Sequence, residues 1–159
     1  MIINDDLRRA LLHEAGHAVG YYLLQHQSAG IAAIKEGLKF CNIVAPNSPQ
    51  MGDAAGSAAE VLFLGEYDKS STGPDRQTAG VSEEGYEGLV KAAVSLLSPH
   101  KRKIRRLNSI LLERVRWRES LDDFPPIIGP VGGMQLPQDG NTYSLILPFD
   151  EISAAMTTS

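Results

Sequence analysis

The sequence has a single cysteine, Cys41. No disulfide within the chain can staple the fold, which fits a reducing compartment. Long apolar runs are also missing, and nothing approaches the roughly 18 consecutive apolar residues of a membrane-crossing helix. The start, Met-Ile-Ile-Asn-Asp-Asp-Leu-Arg-Arg, lacks the basic opening and apolar stretch of a signal peptide. Neither sign of charge dominates. Lys and Arg number 15 against 19 Asp and Glu, for a net charge of −4, so no global field draws the molecule to nucleic acid or to an anionic membrane. Internal repeats and low-complexity tracts are absent. These absences set the expectation of a soluble, cytoplasmic protein with no nucleic-acid partner and no membrane segment.

What is present suits one domain. The chain has 159 residues, and its 43% hydrophobic content is enough to build a core. Asp5 to about Gln25 reads as a helix. Asn4, Asp5 and Asp6 favour its start, and Leu7, Leu11, Ala15, Ala18 and Tyr22 form an apolar stripe at helical steps. Ile31 to Ala45 reads as a hairpin or two short strands around Lys35-Glu36-Gly37. A loop over Pro46–Pro49 leads to an alanine-rich helix from Asp53 to about Leu64, capped by Gly65. Tyr67 to Pro74 reads as a loop, followed by helix from Asp75 and again over Glu83–Leu97. Pro99 suits the first turn of a further helix reaching about Glu119. That helix has a basic face, Lys101 to Arg118, which is expected to be solvated. From Asp122 proline and glycine cluster. Tyr143 to Leu147 is one possible strand there, and Asp150 to Ser159 a fraying tail or short helix.

One pattern carries chemistry. His13-Glu14-Ala15-Gly16-His17 matches H-E-x-x-H on the first helix. Residues four apart lie one above the other, so His13 and His17 can converge on one zinc ion. At about 100° per residue they lie nearly opposite the apolar stripe, so the helix is expected to pack by one face and offer both histidines from the other. Glu14 points to one side of the metal, where it can take a proton from a water that zinc has acidified. Small Ala15 and Gly16 allow a backbone or a substrate to come close. A catalytic zinc site needs a third protein ligand. Asp75, Glu60, His26, Asp53, Asp68 and His100 are the candidates.

The stretch His13-Glu14-Ala15-Gly16-His17-Ala18-Val19 resembles the zinc helix of the FtsH-type membrane AAA proteases. The run Ala54-Ala55-Gly56-Ser57-Ala58-Ala59-Glu60-Val61-Leu62-Phe63-Leu64-Gly65-Glu66 looks like that family's Gly-Gly-Arg-x-Ala-Glu-Glu segment, with Ser57 where the motif has arginine. Ser71-Thr72-Gly73-Pro74-Asp75 looks like a shortened form of its Thr-Gly-Ala-x-Asn-Asp loop. The order agrees over roughly residues 5–118. In that family the last aspartate of the loop is the third zinc ligand, so the resemblance implies Asp75. Glu60 sits among Ala58, Ala59, Val61 and Leu62 and needs a partner. It is expected to orient a ligand histidine through the free ring N–H. The resemblance also makes Leu38–Val44 attractive as a sheet edge that pairs with an extended peptide. Cys41 is read as a small buried hydrophobe, with an inhibitory thiolate on zinc as the alternative.

The expected fold is mainly helical, α+β: a zincin-like metallopeptidase domain over residues 1–121 with a small β-sheet. An irregular Pro/Gly-rich C-terminal extension over 122–159 is expected to pack on the same domain, over the cleft or elsewhere. The expected function is a zinc metalloendopeptidase, independent of ATP, that cuts unfolded or flexible polypeptides. His13, His17 and Asp75 hold Zn2+, Glu14 is the general base and Glu60 stands behind a ligand; no organic cofactor is expected. Further partners would be a second copy of the chain or an unfoldase. The alternatives are a catalytically silent zincin-fold regulator or adaptor, and a narrow-specificity peptidase acting on one regulatory protein.

Overall fold

The computed structural model describes residues 1–37, 39–120 and 123–158. Leu38 at the start of the expected edge strand, Leu121 and Asp122 at the expected domain boundary, and Ser159 lie outside the described residues.

Helix α1 spans Asp5–Leu23. Its start is fixed by Asn4, whose Oδ1 accepts from the Leu7 N–H at 2.9 Å, and by Asp5 and Asp6 at the positive end of the helix dipole. It stops short of Gln25, whose φ of 58° turns the chain back on itself. Strands β1 (Ser28–Ile34) and β2 (Lys39–Val44) form the antiparallel hairpin. Helix α2 covers Gln50–Leu64 and ends on left-handed Gly65. A 3₁₀ turn at Lys69–Ser71 leads into α3 (Gly73–Ala79) and α4 (Glu83–Leu97). A second 3₁₀ turn at Ser98–His100 precedes α5 (Lys101–Arg116). Strand β3 (Tyr143–Pro148) and helix α6 (Phe149–Thr157) follow. The molecule is mainly helical with a small antiparallel sheet of three strands, an α+β arrangement.

The strand order is β2-β1-β3. Lys35 donates its N–H to the Thr142 carbonyl at 3.1 Å, so the odd residues of β1 face β3. The even ones, Gly30, Ala32 and Ile34, therefore face Ile43, Cys41 and Lys39 of β2. By alternation the backbone polar groups of Phe40, Asn42 and Val44 turn outward, to an edge that no described strand covers. The outer side of β3 is partly closed by Ile127, which donates its N–H to the Tyr143 carbonyl at 2.7 Å.

The helices and the inner sheet face share one core that includes Leu11, Val19, Ile31, Leu97 and Leu107. Residues from the C-terminal extension belong to it: Phe124, Ile146, Leu147 and Ile152 are buried there. The outer sheet face, with Ala29, Ala32, Ile43 and Tyr143, is covered by Met134. The extension thus packs along the sheet and supplies one of its strands.

One expectation about a helix face is corrected. The face of α1 that carries the histidines is covered by α2, and His17 is only 4% exposed. A Cβ at Gly16 would lie 2.5 Å from Ala59 Cβ and 2.6 Å from the Ala55 carbonyl oxygen. The small residues bring two helix backbones together there. The basic face of α5 is solvated as expected at Lys101, Arg102, Arg105 and Arg116, and just past the helix at Arg118, all exposed, and two of its arginines are also bonded to neighbouring elements. Arg106 donates to the Ala155 and Thr158 carbonyls, both at 3.0 Å. Arg114 donates to the Ile146 carbonyl at 2.8 Å and pairs with Glu151 through two bonds. Arg105 lies 5.3 Å from the centre of the Phe63 ring. No described helix is long and apolar enough to cross a membrane.

Candidate metal centre

The site is built where α1 crosses α2 and meets the first turn of α3. His13 and His17 project from successive turns of α1, their rings 4.6 Å apart and nearly perpendicular. His13 Nδ1 lies 2.7 Å from Glu60 Oε2, and His17 Nδ1 lies 2.9 Å from the Gly52 carbonyl oxygen. A carboxylate and a carbonyl can only accept, so both rings carry a proton on Nδ1 and direct Nε2 at each other. The third corner is Asp75. Its Oδ2 lies 2.9 Å from His13 Nε2 and 3.1 Å from His17 Nε2, and the two Nε2 atoms are 3.0 Å apart.

This triangle fits a tetrahedral zinc ion. Bonds of about 2.0–2.1 Å place ligand atoms about 3.3 Å apart, so the three atoms need to spread by only a few tenths of an ångström. Glycine makes the convergence possible. A Cβ at Gly56 would lie 2.5 Å from His13 Nε2 and 2.6 Å from His17 Nε2. Gly56 stands in the α2 segment that the resemblance singled out, although its spacing gave no sign of this role.

The helix expected to start at Asp75 begins two residues earlier, at Gly73. Asp75 sits in the first turn of α3, behind Thr72 as N-cap and Pro74 in the first turn. Proline there fixes the helical φ at no hydrogen-bond cost, and the helix starts early enough to aim Asp75 at the rings. Burial works to raise the Asp75 carboxyl, but the His17 and His13 rings hold it well below the usual carboxylate range. Burial works to lower the His13 pKa; bonds to Asp75 and Glu60 override it and push the ring up to about 10. His17 is likewise raised against its burial, by Asp75.

Glu60 is 2% exposed and lies against His13. Its other oxygen accepts from Arg9 Nη1 at 2.6 Å and from the Asp68 N–H at 3.3 Å. Arg9 was not anticipated; its contact with Glu60 spans 51 residues of sequence. Ser57, in place of the motif arginine, shares a 2.6 Å hydrogen bond with Tyr86.

Ligand atoms of Glu14, His13 and His17 all lie within 4.8 Å of one another. Burial pushes the Glu14 carboxyl up, and the His17 and His13 rings oppose that. Its Oε1 accepts from Asn42 Nδ2 at 3.1 Å. Among the described residues no hydrogen bond reaches its Oε2. The remaining candidates are engaged elsewhere. Asp53 accepts from Tyr21 and Ser48 hydroxyls, both at 2.6 Å, and the Tyr21 ring stacks on His17 with centroids 5.9 Å apart. His26 Nε2 donates to the Ala45 carbonyl at 2.7 Å. Asp68 caps the 3₁₀ turn through the Ser70 N–H at 3.0 Å, and His100 ends the second one. Cys41 packs on the outer sheet face. Burial first, then Glu14 and Asp139, push its thiol up to about 12, so at neutral pH it is no thiolate.

No protein-family model matches the chain, and no curated protein or solved structure matches it.

Proposed function

We propose that the chain is a zinc metalloendopeptidase with a zincin-like domain, related to the peptidase domain of the FtsH-type proteases. One observation carries this reading: two Nε2 atoms and one carboxylate oxygen meet in a triangle of 2.9–3.1 Å sides, with the Glu14 carboxylate within 4.8 Å of the two histidines. In the proposal His13, His17 and Asp75 hold the ion. Glu60 and the Gly52 carbonyl keep both Nδ1 protons in place, which fixes ring orientation and raises ligand basicity. Bound zinc would supply a Lewis acid that acidifies water and polarises a peptide carbonyl.

Glu14 Oε2 takes one proton from the attacking water as its oxygen bonds to the carbonyl carbon. The same carboxyl then delivers that proton to the departing nitrogen as the C–N bond breaks. Burial of Glu14 strengthens its hold on the proton between those two moments. The outward backbone groups of β2 suit an extended polypeptide that adds to the sheet as a further strand. A flexible chain reaches that geometry without help; a folded one needs an unfoldase.

The experiment is metal analysis paired with digestion of casein, a flexible protein, by wild type, Glu14→Gln and Asp75→Ala. Wild type should carry about one zinc per chain and cut casein. Glu14→Gln should keep the zinc and lose cutting by at least about 100-fold, within the range for general-base removal. Asp75→Ala should lose zinc. Full zinc in wild type with no cutting of any flexible substrate would leave a silent regulator as the better reading.

A further inference from the structure

We infer that Asn42 is a positioning residue for Glu14, one that ties the reactive carboxylate to the open edge of the sheet. This role rests on the peptidase reading above and adds a residue to it.

Asn42 stands on the inner face of β2, the face that Phe40 presents to the main core. An apolar side chain is the ordinary choice there. The asparagine instead reaches α1, where its Nδ2 donates to the Glu14 carbonyl at 3.0 Å and to Glu14 Oε1 at 3.1 Å. Both partners only accept, so the amide cannot be reversed without setting oxygen against oxygen. The consequence is that Asn42 Oδ1 is buried with no hydrogen-bond partner. An orphaned acceptor destabilises a fold, and a residue chosen only for packing would not leave one. What the asparagine supplies is one donated hydrogen bond that fixes the Glu14 side chain by one oxygen, while among the described residues the other has no hydrogen-bond partner.

The backbone of the same residue points the other way. The N–H and C=O of Asn42 belong to the set that faces the open edge of β2. An extended peptide pairing with that edge would bond to Asn42 through its main chain while Asn42 holds the base through its side chain. Substrate register and base orientation are then referred to one residue. Glu14 and Asn42 are 28 positions apart in sequence, so only the fold creates the link.

The test uses the full chain as wild type, Asn42→Ala and Asn42→Asp, the last keeping the shape while setting a second carboxylate against Glu14. Steady-state cleavage of a flexible fluorogenic peptide, zinc content and thermal melting are read for each. Binding of the same peptide is read in Glu14→Gln with and without Asn42→Ala. Asn42→Ala should lower kcat by roughly 10- to 100-fold, within the span of misplaced general bases, and Asn42→Asp should lower it further. KM, zinc content and peptide binding should each stay within about threefold, as expected of a group acting through Glu14 alone. Wild-type kcat in Asn42→Ala, or a loss that falls on KM, on zinc or on peptide binding, overturns the positioning role and leaves the peptidase reading standing. A zinc-loaded wild type that cuts nothing overturns both.

Discussion

The His13 ring lies between two carboxylates, Asp75 at Nε2 and Glu60 at Nδ1. Burial alone would strip its charge, yet the two acids hold its pKa up at about 10 against an ordinary 6.5. A raised folded-state value means that this ring stabilises the chelated protein fully below about 6.5, and that the contribution fades as pH rises through about 10. A metal ion must displace the Nε2 proton, because a ligand nitrogen has to present a lone pair. Zinc binding at pH 7.5 should therefore release at least about one proton per ion, and affinity should climb with pH across the neutral range. Calorimetric titration of zinc into chelator-treated protein, in two buffers of different ionisation enthalpy, measures the number directly. Proton-neutral binding at pH 7.5 would mean that the ion does not take the His13 position.

At the scale of elements, the crossing of α1 over α2 decides the site, and glycine decides the crossing. Gly56→Ala would put a methyl group within 2.5 Å of His13 Nε2 and 2.6 Å of His17 Nε2. The rings must turn away, so zinc affinity should fall by at least about tenfold, and the overpacked chelated protein should lose roughly 1–3 kcal/mol. Gly88, in the interior of α4, is the control: a Cβ there meets nothing within 4 Å. Gly88→Ala should gain about 0.4–1 kcal/mol through the unfolded chain and leave zinc affinity unchanged. Chemical denaturation with and without chelator reads both. The same crossing shows what a sequence can and cannot disclose. Helix α1, the hairpin turn after β1 and the Gly65 stop are written in local signals: the stripe from Leu7 to Tyr22, Lys35–Gly37, a glycine after an apolar run. The starts of α2 and α3 are not. Asp53 looked like a helix-opening acid, but it binds Tyr21 and Ser48, and α2 begins before it. The contacts of Arg9 with Glu60 and of Asn42 with Glu14 close long loops and have no local period. One signal for Asn42 was readable in principle: a polar residue two positions after Phe40 on the inner face of a strand.

For the whole molecule, the question is whether the C-terminal part serves the site or the fold. It runs along the outer sheet face and then returns through β3 and α6. Strand β1 is the middle strand only because β3 pairs with it. Ile146, Leu147, Ile152 and Met156 fill the core that also holds Leu11 and Val19 of helix α1. Arg106 and Arg114 of α5 bind the Ala155, Thr158 and Ile146 carbonyls, and Arg114 also pairs with Glu151 of α6. Fully burying a large aliphatic side chain is worth about 1.5–3 kcal/mol, so losing these four alone removes about as much as a whole domain of this size has to spare, 5–15 kcal/mol. A chain cut after Arg118 should therefore show no cooperative thermal transition and no stoichiometric zinc binding, although every proposed metal ligand remains in it. A removable cover predicts the opposite: the shortened chain would melt cooperatively, keep its zinc and cut casein at least as fast as the full one. Scanning calorimetry with metal analysis on residues 1–118 separates the two. With β3 gone, the hairpin β1–β2 would be a two-stranded sheet, marginal on its own, and β1, which sets the register of the edge at Asn42, would lose its other partner.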